Sequence, residues 1–255
     1  MFRFAVSLHQ RRKAQEAGVV FLEGLRFCED VLESGFSPQM VFFTKNKEAL
    51  VSGWEERFSS ISGAKLYLLE DHLFEKLSET KNPQGVALVV ARPDSGGELP
   101  VCGEDIYLVC EKTADPGNLG TMIRMADAFC FSAVLLVEGS VDPYNEKVMR
   151  ASMGSCFRIP ILLFASIEEL GAELKVKGIR LLGMHLDGES MDEAVFPFPC
   201  AMVIGNEAAG MSEAARGLCD WLVRIPMEGA AESLNAASAA SIAGYVLAKQ
   251  RRGGR

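Results

Sequence analysis

DPGNLGTMIRMADAF, residues Asp115–Phe129, leads from the apolar run IYLVC through a Pro-Gly turn into a helix-forming segment. Two later stretches follow the same plan: MVIGNEAAGM (Met202–Met211) and IPMEGAAESLNAASAA (Ile225–Ala240). Each joins an apolar run to a loop rich in Gly, Asn or Glu, and each sets polar side chains at the carboxyl end of a predicted strand. In open α/β sheets that edge is where ligands bind. The alternation extends outward from these stretches: IYLVC then a helix over 119–130, AVLLV then 144–152, IPILLF then 166–177, IRLLGM, AMVIG then 212–219, and WLVRI then 233–251. It predicts an α/β fold whose mainly parallel sheet is covered on both faces.

The segment ARPDSGGELPVCGED (Ala91–Asp105) reads as a linker, rich in Pro, Gly and acidic residues. It divides the chain into a domain over residues 1–95 and another over 103–255. In the first, the spacing of Leu22, Leu25, Val31 and Leu32 predicts a helix within FLEGLRFCEDVLESG (Phe21–Gly35), stopped by Gly35. MVFFT, AKLYLL and GVALVVA read as short buried strands, giving a small α/β domain.

Composition sets the outer bounds. Of 255 residues, 49% are hydrophobic and 24% charged, the balance of a folded chain. No apolar run approaches the ~18–20 residues of a membrane span. MFRFAVSLHQRRKAQ reads as a basic first helix rather than a secretion signal, and the expected location is the cytoplasm. Cys28, Cys102, Cys110, Cys130, Cys156, Cys200 and Cys219 are scattered without a CxxC pair, and His9, His72 and His185 are isolated. Neither a disulfide framework nor a metal site is expected. Net charge is −8; residues 1–95 hold 12 Lys/Arg and 13 Asp/Glu, leaving 14 and 21, a net of −7, for the rest. Positive charge collects at Arg11, Arg12 and Lys13, at Lys249, Arg251, Arg252 and Arg255, and near the motifs at Arg124, Lys147, Arg150 and Arg158. That balance disfavours indiscriminate polyanion binding and leaves room for local phosphate contacts.

In the first stretch, Asp115 or Asn118 is placed to cap a helix, and Arg124 falls farther along it. Alone, Asn118 would be a plain cap and Arg124 a solvated helix face. In the second, Gly205 permits close backbone approach and Asn206 suits a tight turn. Glu207 follows an apolar strand directly, where desolvation is expected to raise its pKa; the bland alternative is a solvated turn carboxylate. In the third, Ser233 is placed as the N-cap of the last helix, Leu234 and Asn235 follow, and AASAASIAGYVLA is small-sided enough for close helix packing. No GxGxxG follows an early strand, which disfavours dinucleotide-dependent enzymes and Rossmann-type methyltransferases.

Together the three stretches resemble the three motifs of the SpoU (TrmH) family of RNA ribose 2′-O-methyltransferases, closely over residues 103–250. The EG of FLEGLRFCEDVLESG and the PQG of SETKNPQGVALVV (Ser78–Val90) resemble the L30-like substrate-binding domain that precedes the catalytic domain in many members. The resemblance implies a deep trefoil knot of the SPOUT type, S-adenosyl-L-methionine as cofactor, a homodimer and no metal. It implies methylation of a ribose 2′-hydroxyl in structured RNA, ribosomal RNA ahead of transfer RNA. A non-catalytic RNA-binding assembly factor on the same scaffold is the other reading.

Carried over by position, the resemblance makes Asn118, Arg124, Glu207, Ser233 and Asn235 active-site residues, and Gly205, Ile225, Met227 and Leu234 the cofactor's contacts. A guanidinium is a poor general base, so Arg124 is expected as a bidentate clamp on the target phosphate that also stabilises a developing alkoxide. The proton then leaves to that phosphate, to water or to Glu207. Asn145, Arg150 and Ser152 are weaker candidates for contacting RNA or a partner subunit. The chain departs from the family's GNEGxG at Ala208, and has Cys130 where members commonly have Gly.

Overall fold

The computed structural model describes residues 1–253, so Arg255 of the C-terminal basic cluster lies outside the described residues. The chain divides into two compact units, Met1–Pro93 and Asp94 onward.

In the first unit, α1 (Phe2–Ser7) and α2 (Arg11–Ala17) precede β1 (Val19–Glu23), α3 (Leu25–Glu33), β2 (Pro38–Thr44), α4 (Glu48–Arg57), β3 (Lys65–Leu69), α5 (Asp71–Leu77) and β4 (Val86–Ala91). The sheet order is β1-β4-β2-β3, with β2 and β3 parallel and the other pairs antiparallel. Two expectations change here. The helix predicted from Phe21 begins only at Leu25, because Val19–Glu23 is a strand paired with β4. The run VVFL suits a pleated, half-buried surface, and that tertiary pairing overrides the helical spacing. AKLYLL is a strand but not a buried one: β3 is the sheet edge, and Leu66 and Leu68 are exposed.

The second unit runs β5 (Ile106–Cys110), α6 (Pro116–Ala128), β6 (Ala133–Val137), α7 (Glu146–Ser152), β7 (Ile161–Phe164), α8 (Ile167–Val176), β8 (Arg180–Ser190), β9 (Cys200–Ile204), α9 (Glu213–Leu218), β10 (Trp221–Arg224) and α10 (Ala236–Gly253). Its sheet order is β10-β8-β9-β5-β6-β7, and every neighbouring pair is parallel. Strands β5, β6 and β9 are buried along their whole length, as continuous apolar runs under two helical layers must be. Tyr107, Val109, Leu135 and Val203 pack with Leu170 and Leu174 of α8.

Local chemistry sets the helix ends. The Asp115 carboxylate accepts the Asn118 N–H at 2.7 Å and Pro116 opens α6, so Asp115 is its cap. At Gly120 an added Cβ would stand 2.5 Å from the Ala151 methyl and 2.6 Å from the Val148 carbonyl, so α6 and α7 touch backbone to backbone there. Ser233 does not cap the last helix. Asn235 does, accepting N–H bonds from Ala237 and Ser238 at 3.0 and 3.1 Å. The segment after Pro93 is no free linker either: Leu99 is buried in the core beside Tyr107, and the Ser95 carbonyl accepts the Leu163 N–H at 2.9 Å.

Cys130 ends α6 at a φ of 54°, in the left-handed region. There a Cβ crowds the following carbonyl, whereas glycine is free of that strain. Arg251 of α10 holds the turn by donating to the Phe129 and Cys130 carbonyls at 2.9 and 3.0 Å. Cys130→Gly is therefore expected to stabilise the protein by about 1 kcal/mol, read as a higher thermal midpoint. A lowered midpoint would show that the cysteine side chain packs better than its backbone strain costs.

Candidate active site

Parallel pairing puts the carboxyl ends of all six strands on one edge, and the order places β5 beside β9 and β9 beside β8. The loops after β5 and β9 therefore meet. Asn206 donates from Nδ2 to the Lys112 carbonyl at 2.8 Å, while its Oδ1 accepts the N–H groups of Ala208 and Ala209, both at 3.0 Å. Reciprocal bonds between the backbones of Asn206 and Gly210, at 3.0 and 2.9 Å, close the turn. Ala208 has no positive φ, whereas Gly210 does at 71°, so the departure from GNEGxG leaves the turn unstrained. Gly205 is where side-chain volume is forbidden: an added Cβ would lie 2.3 Å from the Met211 nitrogen and 2.4 Å from the Gly210 carbonyl carbon.

Glu207 joins the three stretches. Its carboxylate accepts the N–H groups of Ala114 and Asp115 at 3.1 and 3.2 Å and the Asn118 side-chain amide at 3.1 Å. Asn118 in turn accepts through Oδ1 from the Asn235 amide at 2.9 Å. The result is a chain Glu207–Asn118–Asn235 with one member from each stretch.

The expected rise in the Glu207 pKa is not found. Desolvation does push the carboxyl up, but the bonds from the Asn118 amide and from the N–H groups of Glu207 itself, Ala114 and Asp115 outweigh it, and its pKa is lowered. A carboxylate lowered on folding stabilises this loop pair at every pH above the unfolded value of about 4.3. That stabilisation disappears as pH falls through the lower folded value. The stability difference between wild type and Glu207→Gln should thus stay constant from neutral pH to about pH 5 and shrink below it. A difference that declined already between pH 7 and pH 6 would contradict the bonding described.

Arg124 stands apart from this chain. Six residues beyond Asn118 on α6, it is rotated by about 120° and displaced by about 9 Å along the axis. It lies in the third turn of α6, exposed, and among the described residues it has no ion-pair or hydrogen-bond partner. Ser233 and Leu234 are exposed in the loop before Asn235, while Ile225 and Met227 are half-buried where β10 ends. Among the described residues, no hydrogen bond involves the backbone of Ile225–Leu234, so its N–H and C=O groups remain open for a ligand. The weaker candidates have structural partners: Asn145 caps α7, Arg150 pairs with Glu146 at 2.5 Å, and Ser152 is buried with its hydroxyl on the Met149 carbonyl.

Two features escaped sequence reasoning. Glu111, buried at the end of β5, accepts from the Ser212 N–H at 3.0 Å and from its hydroxyl, anchoring the far side of the second loop. An acidic residue immediately after a wholly apolar strand was the available signal. The second is a bulge: Leu222 of β10 pairs with Gly183, but Val223 pairs with Glu189, so residues 184–188 of β8 loop out. They bring Met184 and His185 to the same sheet edge, which only strand order reveals.

Residues 105–245 match the SpoU rRNA Methylase family, and residues 2–88 match the MRM3-like substrate binding domain. The chain is 35% identical over 243 residues to the 23S rRNA (guanosine(2553)-2′-O)-methyltransferase RlmP of Bacillus subtilis, covering 94% of this chain and 92% of that protein. It is 32% identical to a 23S rRNA (uridine(2479)-2′-O)-methyltransferase of Streptomyces viridochromogenes, covering 97% and 88%. The crystal structure of the SpoU methyltransferase AviRb from Streptomyces viridochromogenes in complex with the cofactor AdoMet superposes with a TM-score of 0.87 at 30% identity, over 100% of this chain and 98% of that one. With more than half its length matched, this chain belongs to the SpoU rRNA methylase family.

Proposed function

We propose that this protein transfers a methyl group from S-adenosyl-L-methionine to a ribose 2′-hydroxyl in ribosomal RNA. The observation that carries this reading is the Glu207–Asn118–Asn235 chain, which holds two side-chain amides at the carboxyl edge of a parallel sheet. The neighbouring residues fit the cofactor. The open backbone of Ile225–Leu234 supplies donors and acceptors for an adenine ring, Ile225, Met227 and Leu234 supply apolar surface, and Gly205 lets the second loop close tightly against the same edge. S-adenosyl-L-methionine supplies, when bound, an electrophilic methyl group on a sulfonium.

The chain's own residues then position and stabilise. Asn118 and Asn235 orient the ribose, with Ser233 at the methyl-transfer end. Arg124, without a partner among the described residues, clamps the adjoining phosphate and stabilises charge on the 2′-oxygen. Glu207 acts through Asn118. Its lowered pKa makes it a weak proton acceptor, so the proton leaves to the phosphate or to water. No metal takes part. The reading includes the trefoil knot, a cytoplasmic location that keeps the thiols reduced, and a homodimer. Support for the dimer comes from α10, whose exposed face presents Ile242 and Tyr245 beyond the side that packs on α6 through Gly244. The direct test transfers labelled methyl groups to total RNA from a strain lacking the protein and maps the modified ribose. Labelled ribosomal RNA with one new 2′-O-methyl nucleotide is expected; labelled transfer RNA alone would redirect the substrate.

Domain roles give a further test. Because Ser95 and Leu99 belong to the second unit, a fragment should start at Asp94 rather than at residue 103. It is expected to fold and bind cofactor with wild-type affinity, yet to methylate RNA at least about tenfold more slowly, since phosphate and base contacts in the first unit are gone. Full methylation by the fragment would place RNA recognition on the second unit.

A further inference from the structure

The EG and PQG elements, residues 23–24 and 83–85, take no part in the site above, yet within the first unit they meet. Glu23 accepts from the Ser78 and Thr80 hydroxyls at 2.5 and 2.7 Å and from the Glu79 N–H at 3.3 Å, which pins the loop leading to Gln84. The Gln84 side-chain carbonyl accepts the Leu25 N–H at 2.7 Å, so the outer part of its amide presents only N–H donors. Thr44 donates to Asn46 Oδ1 at 2.6 Å and fixes that amide in the same way. This junction borders a cavity of about 620 Å³, with the buried Phe74 among its walls.

The cavity's charges are mixed and unspent. Arg26 and Lys47 line it together with Asp71 and Glu75, and among the described residues none of the four has an ion-pair partner. Two carboxylates repel a bare phosphate. Two cations and two fixed amide donors ask for acceptors on the same ligand. Guanine meets both demands: N1–H and the 2-amino group are adjacent donors that one carboxylate accepts in parallel, while O6 and N7 are acceptors for Arg, Lys or an amide. Adenine and cytosine offer a single amino group, and uracil a single N–H between two carbonyls. Unpaired RNA bases are the ones whose edges proteins reach.

We propose that this cavity reads one unpaired guanine of the RNA substrate, with Asp71 or Glu75 on its donor edge, Arg26 and the amides of Asn46 and Gln84 on its acceptors, and Lys47 on the adjoining phosphate. The inference rests on the RNA methyltransferase reading and adds a recognition element to it.

The test uses the full chain and RNA hairpins carrying one unpaired G, A, C, U or inosine, with affinity read by fluorescence anisotropy. Guanine is expected to bind about tenfold tighter than A, C or U, and inosine, which lacks the 2-amino group, should lose most of that margin. The Asp71→Asn/Glu75→Gln double variant should abolish the preference, while Lys47→Ala weakens all five hairpins alike. An unchanged far-UV circular dichroism spectrum and thermal unfolding curve in each variant, covering the first unit that holds the cavity, separate lost recognition from lost folding. Equal affinity for all five hairpins, or a guanine preference that survives the double variant, overturns the proposal. Binding of guanosine monophosphate as tight as that of the G hairpin would overturn the RNA assignment in favour of a free nucleotide. A guanine preference without methyl transfer would sink the activity reading alone, and cofactor binding with no hairpin bound would sink both.

Discussion

Arg124→Ala is expected to lower the rate of methyl transfer by about 10²–10³-fold, the scale for removing one donor aimed at developing negative charge. Cofactor affinity should stay within about twofold of wild type, well under the tenfold that 1.4 kcal/mol would give. The separation follows from geometry. Arg124 lies on a different face of α6 from Asn118, has no partner among the described residues, and belongs to neither loop proposed to hold the cofactor. Its removal should also leave stability untouched, since no internal bond is broken. Arg124→Lys discriminates between kinds of positive charge. A planar guanidinium grips a phosphate through two parallel bonds, whereas an ammonium is a point charge, so the lysine variant should remain strongly impaired. Near-full activity in Arg124→Lys would replace the clamp with simple charge neutralisation, and lost cofactor binding in Arg124→Ala would move the residue to another role.

Gly205→Ala is expected to damage cofactor binding by at least about tenfold and to destabilise the fold by about 1–3 kcal/mol, the usual cost of overpacking. The added methyl would meet the Met211 nitrogen and the Gly210 carbonyl carbon, both backbone atoms that no rotamer change can move. Relief requires opening the Asn206–Gly210 turn. Opening it pulls Glu207 from Asn118 and so loosens Asn235, the cap of α10. One carbon should therefore be felt in all three motif loops. Calorimetry with S-adenosyl-L-methionine and a thermal unfolding curve read the two effects separately. Ala208→Gly, two residues beyond the forbidden position and at an unstrained backbone, is the control and should change either by little. Wild-type affinity in Gly205→Ala would mean that the second loop does not shape the cofactor site.

Motif spacing and the apolar runs were sufficient to locate the parallel sheet, because strands buried on both faces must be apolar throughout and their crossover connections are mostly helices, the β8–β9 connection excepted. IYLVC, AVLLV and CAMVI say as much without coordinates. The same runs, followed by polar loops, located Asn118, Glu207 and Asn235 at one sheet edge. Where local preference and tertiary pairing disagreed, the sequence misled: Val19–Glu23 was pulled into a strand by β4, and AKLYLL was left exposed by its place at the sheet edge.

Three things were settled only by the folded chain. Which residue caps α10 depended on Asn235 reaching both its own helix and Asn118, a bond across 117 positions that no local preference encodes. Whether the Glu207 pKa rises or falls depended on the hydrogen bonds that collect around it, because a strand-end position predicts desolvation but not the donors that outweigh it. The junction of Glu23–Gly24 with Gln84 came from sheet order, which sets β1 beside β4 and so brings together two loops some sixty positions apart. Sequence alone fixes what each residue offers, its charge, its donors and its shape. Tertiary structure decides which of those offers are met, because hydrogen bonding acts over about 3 Å and strand order chooses which distant residues come within it.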